Sequence, residues 1–303
     1  MNKLSGSICA LATPFRGEAL DLDAFAALVE YQIESGTQAL VVAGSTGEAH
    51  ALDQAEFDRL LEFAVARVDA RVPVLAGTGT ANTRKTILAT RRAQSLGADA
   101  ALVVTPYYVR PTQEGMLRHF NEVAEHGGLP VVLYNVPSRT GCDLRPETTA
   151  KLAEHEAIVG IKEAVGEPQR VAALVALKAP GFCVLSGDDP TCAAAMLAGA
   201  EGIVSVAANV APAAMRAVCD AALAGESAAA MENDARLADL YRLLGTEPNP
   251  IPLKWCLHRL GIGTPALRLP LLPLSPRYHA QAQKVLDELH LTAAVQPRHS
   301  SAA

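Results

Sequence analysis

The 303-residue chain has no excess of positive charge: 26 Lys and Arg stand against 32 Asp and Glu, for a net charge of −6. A protein that binds a phosphate backbone is basic, so this balance excludes nucleic acid as the expected partner. No run of like charges forms a tail. No apolar stretch approaches the ~20 residues a membrane span needs. The apolar run at 8–12 is too short for the core of a signal peptide. The six cysteines, Cys9, Cys142, Cys183, Cys192, Cys219 and Cys256, form no C-x-x-C pair, and several sit in apolar runs. They read as buried free thiols of a reducing compartment, so the expected location is the cytoplasm.

Several chemistries are missing as well. None of the eight histidines follows an apolar strand run, and no H-E-x-x-H occurs, so no metal site is expected. Gly77-Thr78-Gly79 lacks the third glycine and following acid of a dinucleotide turn. The chain also has no P-loop and no G-x-S-x-G elbow.

What is present is an alternation. Short apolar runs occur at 8–11, 39–43, 73–76, 100–104, 130–134, 157–161, 182–185 and 202–206. Between them lie segments with apolar residues at helical spacing. One is 23–35, with Phe25, Leu28, Val29 and Ile33 on one stripe; another is 53–68, with Phe57, Leu60, Leu61, Ala64 and Val68. Asn82, Thr112 and Glu167 stand where further helices begin. Continuous apolar strands mark a parallel sheet covered on both faces. Eight of them in alternation predict an α/β fold, a (β/α)8 TIM barrel, over residues 1–224. A doubly wound sheet is the alternative, but Ala12-Thr13-Pro14-Phe15 after the first run cannot make its nucleotide turn. Beyond the barrel, helical stretches near 226–244, 251–260 and 277–290 predict a C-terminal helical extension over 225–291. The three prolines within 245–252 form a rigid connector, and 292–303 reads as a loose tail.

Barrel active sites lie at the C-terminal ends of the strands. The polar residues there are Thr13, Ser45, Thr46, Glu48, Thr78, Thr105, Tyr107, Tyr108, Tyr134, Asn135, Lys162, Glu163, Ser186, Asp188, Asp189 and Ser205, expected to line one mouth. Of seven lysines only Lys162 ends an apolar run. Burial disfavours a charged amine, and a neutral amine attacks a ketone to form a Schiff base. The alternative is a lysine whose stem packs while its head reaches water. Tyr134, ending the preceding strand ~4.8 Å away, favours the reactive reading, because its phenol can shuttle protons. Ser45-Thr46-Gly47-Glu48 offers hydroxyls and N–H groups for a carboxylate, or is an ordinary capped turn. Arg139 can clamp a second carboxylate, or is a surface arginine.

Taken together, Gly44-Ser45-Thr46-Gly47-Glu48, Thr105-Pro106-Tyr107-Tyr108, Tyr134-Asn135-Val136-Pro137-Ser138-Arg139-Thr140-Gly141, Gly160-Ile161-Lys162-Glu163-Ala164 and Ser186-Gly187-Asp188-Asp189 give the chain a likeness over residues 4–290. It resembles the dihydrodipicolinate synthase and N-acetylneuraminate lyase superfamily, and within it the dihydrodipicolinate synthases. The resemblance implies condensation of pyruvate with aspartate 4-semialdehyde in the diaminopimelate and lysine pathway. Lys162 would carry the imine, and Tyr134 would be the general acid/base. Ser45 and Tyr108 would complete a proton relay, with Tyr108 reaching in from a neighbouring protomer. Thr46 would hold the pyruvate carboxylate and Arg139 that of the semialdehyde, while Gly187 and Val204 line the site. No cofactor is implied beyond the covalent imine, and the assembly implied is a homotetramer.

Two departures stand out. Ser45 replaces the family's usual threonine, as in the superfamily's sugar-acid lyases, which are the second functional reading. A catalytically silent binding or regulatory paralogue is the third, and the joint presence of Lys162, Tyr134 and Tyr108 argues against it. Gln54, Phe57, Ala81 and Lys85 stand where lysine-inhibited members carry His, His, Asn and Glu, whereas Ala49 and Tyr107 match. Lys85 repels an amino-acid ammonium, so inhibition by L-lysine is expected to be weak or absent.

Overall fold

The computed structural model describes residues 4–291, so the tail expected at 292–303 lies outside the described residues. Its eight main strands are β1 (Gly6–Ala10), β2 (Ala39–Val42), β3 (Val74–Gly77), β4 (Ala100–Val104), β5 (Val131–Asn135), β6 (Ile158–Glu163), β7 (Cys183–Ser186) and β8 (Gly202–Ser205). They pair in parallel in chain order, and β8 pairs with β1 to close the barrel. Each expected apolar run is one of these strands, because burial on both faces selects unbroken runs of Val, Leu, Ile and Ala.

Closure leaves two cores. Ile8, Val41, Leu75, Leu102, Val132 and Val204 fill the barrel interior. A larger layer lies between the strands and the surrounding helices. The helices begin where the sequence supplies caps. In α1 (Leu22–Glu34) the Asp21 carboxylate accepts from the Ala24 N–H. In α2 (Gln54–Val68) Asp53 and Glu56 form a reciprocal capping box. Asn82 caps α3 (Thr83–Ser95), and Thr112 caps α4 (Gln113–Gly127). Next come α5 (Pro146–Leu152), α6 (Pro168–Val175), α7 (Cys192–Leu197) and α8 (Pro212–Leu223). Glu167 precedes α6 without a side-chain cap bond, and Pro168 supplies the helical φ instead. The extension contains α9 (Ser227–Arg236), α10 (Ala238–Leu244), α11 (Ile251–Arg259) and α12 (His279–Glu288).

One irregularity determines the chemistry. Val131 pairs with Ile158, but Val132 pairs with Gly160, so β6 carries one extra residue against β5. Such a bulge reverses the alternation of faces. Ile158 and Ile161 therefore both face the helices. Lys162 comes to lie opposite Tyr134, whose ring belongs to the interior cluster. Glu163 comes to lie opposite Asn135.

Candidate active site

Lys162 is 5% exposed, and its Nζ lies 4.2 Å from the centroid of the Tyr134 ring. Among the described residues the amine has no ion pair or hydrogen bond, and neither the Tyr134 nor the Ser45 hydroxyl has a hydrogen-bond partner. A Cβ on Gly187 would sit 2.9 Å from Cε and 3.0 Å from Cγ of Lys162, so a side chain there would displace the lysine stem. Val204 completes the apolar surroundings from β8.

Tyr134 also lines a cavity of about 490 Å³, together with Ser45, Arg139, Tyr107 and Asn249 among others. The turn after β2 brings Ser45 to its wall. Gly77 lets β3 end close against that turn, because a Cβ there would lie 2.2 Å from the Ala43 carbonyl oxygen. Thr46 is buried next to Ser45, and its Oγ1 accepts from Nδ2 of the cavity-lining Asn249 at 3.0 Å. The Arg139 guanidinium donates to the Asn249 carbonyl at 3.3 Å. Of the expected site residues, Ser45, Tyr134 and Arg139 line this cavity, while Lys162, Thr46, Gly187 and Val204 do not. Lys162 joins it through Tyr134, Gly187 through Lys162, Thr46 through Asn249, and Val204 shares the interior cluster with Tyr134. Tyr108 stands apart: it is 89% exposed, on backbone of φ 71°, and does not line the cavity.

Several polar residues expected at the mouth turn elsewhere. Asp189 accepts from the Ser205 hydroxyl and the Val206 and Ala207 N–H groups, and Thr13 donates to the Gly47 carbonyl. Glu163 and Asn135 occupy the outward positions behind Lys162 and Tyr134. There Asn135 donates to both carboxylate oxygens of Glu163, at 3.1 and 3.0 Å, and to Asp143 at 2.8 Å. Burial raises the Glu163 carboxyl to about 7, opposed by the bonds from Asn135 and the Val165 N–H. Glu48, in the left-handed region at φ 51°, is 0% exposed and pairs with Lys254, which is 2% exposed. Burial lowers Lys254 to about 8, against the pull of Glu48. Asn249 and Lys254 lie in the segment 249–255 that shares the family likeness, but the sequence assigned neither a role at the site. Lys254 left one signal, a lysine inside the apolar stretch 251–257, which requires a buried counter-charge.

A closed parallel barrel with a buried, unpaired lysine and a tyrosine on adjacent strand ends defines a Schiff-base-forming lyase. A profile of the dihydrodipicolinate synthetase family matches residues 3–289. The chain is 58% identical over 301 residues to the 4-hydroxy-tetrahydrodipicolinate synthase of Xanthomonas axonopodis pv. citri, covering 99% of each chain. It is 56% identical over 287 residues to that of Stenotrophomonas maltophilia strain K279a, covering 94% of this chain and 96% of the relative. Among solved structures, the pyruvate complex of the chloride-inhibited dihydrodipicolinate synthase from Acinetobacter baumannii superposes with a TM-score of 0.93. That match has 43% identity and covers 95% of this chain and 100% of the other. The chain belongs to the dihydrodipicolinate synthetase family.

Proposed function

We propose that the chain condenses pyruvate with L-aspartate 4-semialdehyde, the 4-hydroxy-tetrahydrodipicolinate synthase reaction. The observation that carries this reading is the unpaired Lys162 amine 4.2 Å from the ring of Tyr134, which lines a cavity together with Ser45 and Arg139. The amine attacks the pyruvate ketone, and loss of water gives the imine. The imine acidifies the adjacent methyl, and loss of a proton there gives an enamine nucleophile without a metal. The enamine carbon bonds to the aldehyde carbon of the second substrate, whose oxygen takes up a proton, and attack of that substrate's amine on the imine carbon then closes the ring and expels the Lys162 amine. Tyr134 moves these protons, relayed through Ser45 and the Tyr108 of a neighbouring protomer. Thr46 and the backbone at Ser45 hold the pyruvate carboxylate, Arg139 holds the carboxylate of the semialdehyde, and Gly187 and Val204 shape the pocket.

The exposed position of Tyr108 supports its service to a second copy, in a homotetramer built as a dimer of dimers. Residues 1–224 supply the chemistry, and 225–291 form the extension. No helix among the described residues is long and apolar enough to cross a membrane, and the reading places the enzyme in the cytoplasm, with no cofactor beyond the imine.

The same cavity is also lined by Ala49, Gln54, Phe57 and Tyr107. Lys85 is exposed on α3, and Ala81 precedes the cap of that helix. Apart from Asp53, which also lines the cavity and caps α2, these positions offer an incoming L-lysine no carboxylate, so its inhibition is weak or absent. The test is turnover with both substrates, with and without L-lysine, beside Lys162→Ala. The variant should lose activity by on the order of 1,000-fold. Full activity in Lys162→Ala contradicts the mechanism, and half-maximal inhibition at sub-millimolar lysine contradicts the insensitivity.

A further inference from the structure

The turn that presents Ser45 and Thr46 is tied at two points to the C-terminal extension. Its last residue, Glu48, is buried, and one carboxylate oxygen takes the Lys254 ammonium while the other accepts the Arg268 N–H at 3.2 Å. Lys254 donates to the Ala266 carbonyl at 2.8 Å and lies 4.2 Å from the Phe15 ring centroid. Independently, Asn249 Nδ2 donates to the Thr46 hydroxyl, while the Oδ1 of the same carboxamide is buried without a partner. Both arrangements are costly. A buried ion pair contributes little net stability over an apolar filling, and an unpaired buried oxygen is unfavourable. What both achieve is a fixed position for 45–48, a loop that strand pairing does not hold.

We infer that Lys254 and Asn249 are positioning residues for the pyruvate-carboxylate cradle, so that the extension sets the enzyme's affinity for pyruvate. This rests on the function proposed above. The lysine holds the turn through Glu48, and the asparagine orients the Thr46 hydroxyl toward the carboxylate. Neither touches the reacting atoms, so their loss weakens capture of pyruvate and spares the later steps.

The test uses Asn249→Ala, which deletes a single side-chain bond, and the double variant Glu48→Gln/Lys254→Met, which removes both buried charges together and leaves neither stranded. Borohydride trapping of bound pyruvate is measured against pyruvate concentration, alongside KM, kcat and the thermal midpoint. Each variant should need roughly tenfold more pyruvate for half-maximal trapping, with kcat within about threefold of wild type. Asn249→Ala should keep its midpoint within about 4 °C, which separates positioning from unfolding. An unchanged pyruvate requirement in either variant overturns the inference, as does a fall in kcat with KM unchanged. A wild-type enzyme that traps no pyruvate overturns the underlying function, and the inference with it.

Discussion

Lys162 and Glu163 are consecutive in the chain and face opposite ways. The lysine enters the barrel interior, where its stem fills the space beside Gly187. The glutamate turns to the outer layer, meeting Asn135, with Asp143 and Arg170 contributing opposed charges nearby. Because burial raises the Glu163 carboxyl from 4.5 to about 7, the folded chain holds a proton there that the unfolded chain releases at lower pH. The resulting stabilisation is complete below the ordinary glutamate value and is lost as pH rises through about 7. Glu163→Gln removes this dependence. The variant should gain on the wild type by on the order of 3 kcal/mol between about pH 5 and pH 8, read from urea unfolding at both. A constant difference across that range contradicts the assignment. Lys162, the lone lysine ending an apolar run, was legible from sequence. The pairing of Asn135 with Glu163 was not, because the side of a strand on which a residue falls is a matter of register.

At the scale of the element, that register depends on the bulge in β6. Every position in 157–161 is apolar or glycine, so the two-residue period that reveals which face is inward is absent from the sequence. The strand was legible and its bulge was not, although Gly160 within the run was a pointer. A Cβ at Gly160 would lie 2.5 Å from Cys183 Sγ and 2.6 Å from the Cys183 carbonyl oxygen. Gly160→Ala must therefore push β7 away from β6, disturbing the layer just below Lys162. The expected loss is about 1–3 kcal/mol, seen as a lower denaturant midpoint. An unchanged midpoint contradicts this close approach.

At the scale of the molecule, eight apolar runs specified a closed barrel, because doubly covered strands leave a strong local signature. The joining of barrel and extension left almost none. Glu48 and Lys254 are 206 residues apart, and although a lysine within the apolar stretch 251–257 calls for a counter-charge, nothing in the sequence points to Glu48 as that partner. Asn249 lay in a proline-rich segment that read as a connector and, from 249 to 255, as part of the family likeness, with no role for its side chain. The site is therefore legible where it is built from strand ends and obscure where a distant segment supports it. The central claim, that the Lys162 amine forms an imine with pyruvate, is tested most directly by borohydride reduction with pyruvate, followed by intact mass and peptide mapping. The account predicts one reduced pyruvate adduct per chain, on Lys162, and none in Lys162→Ala. An unmodified wild-type chain, or an adduct on another lysine, would contradict it.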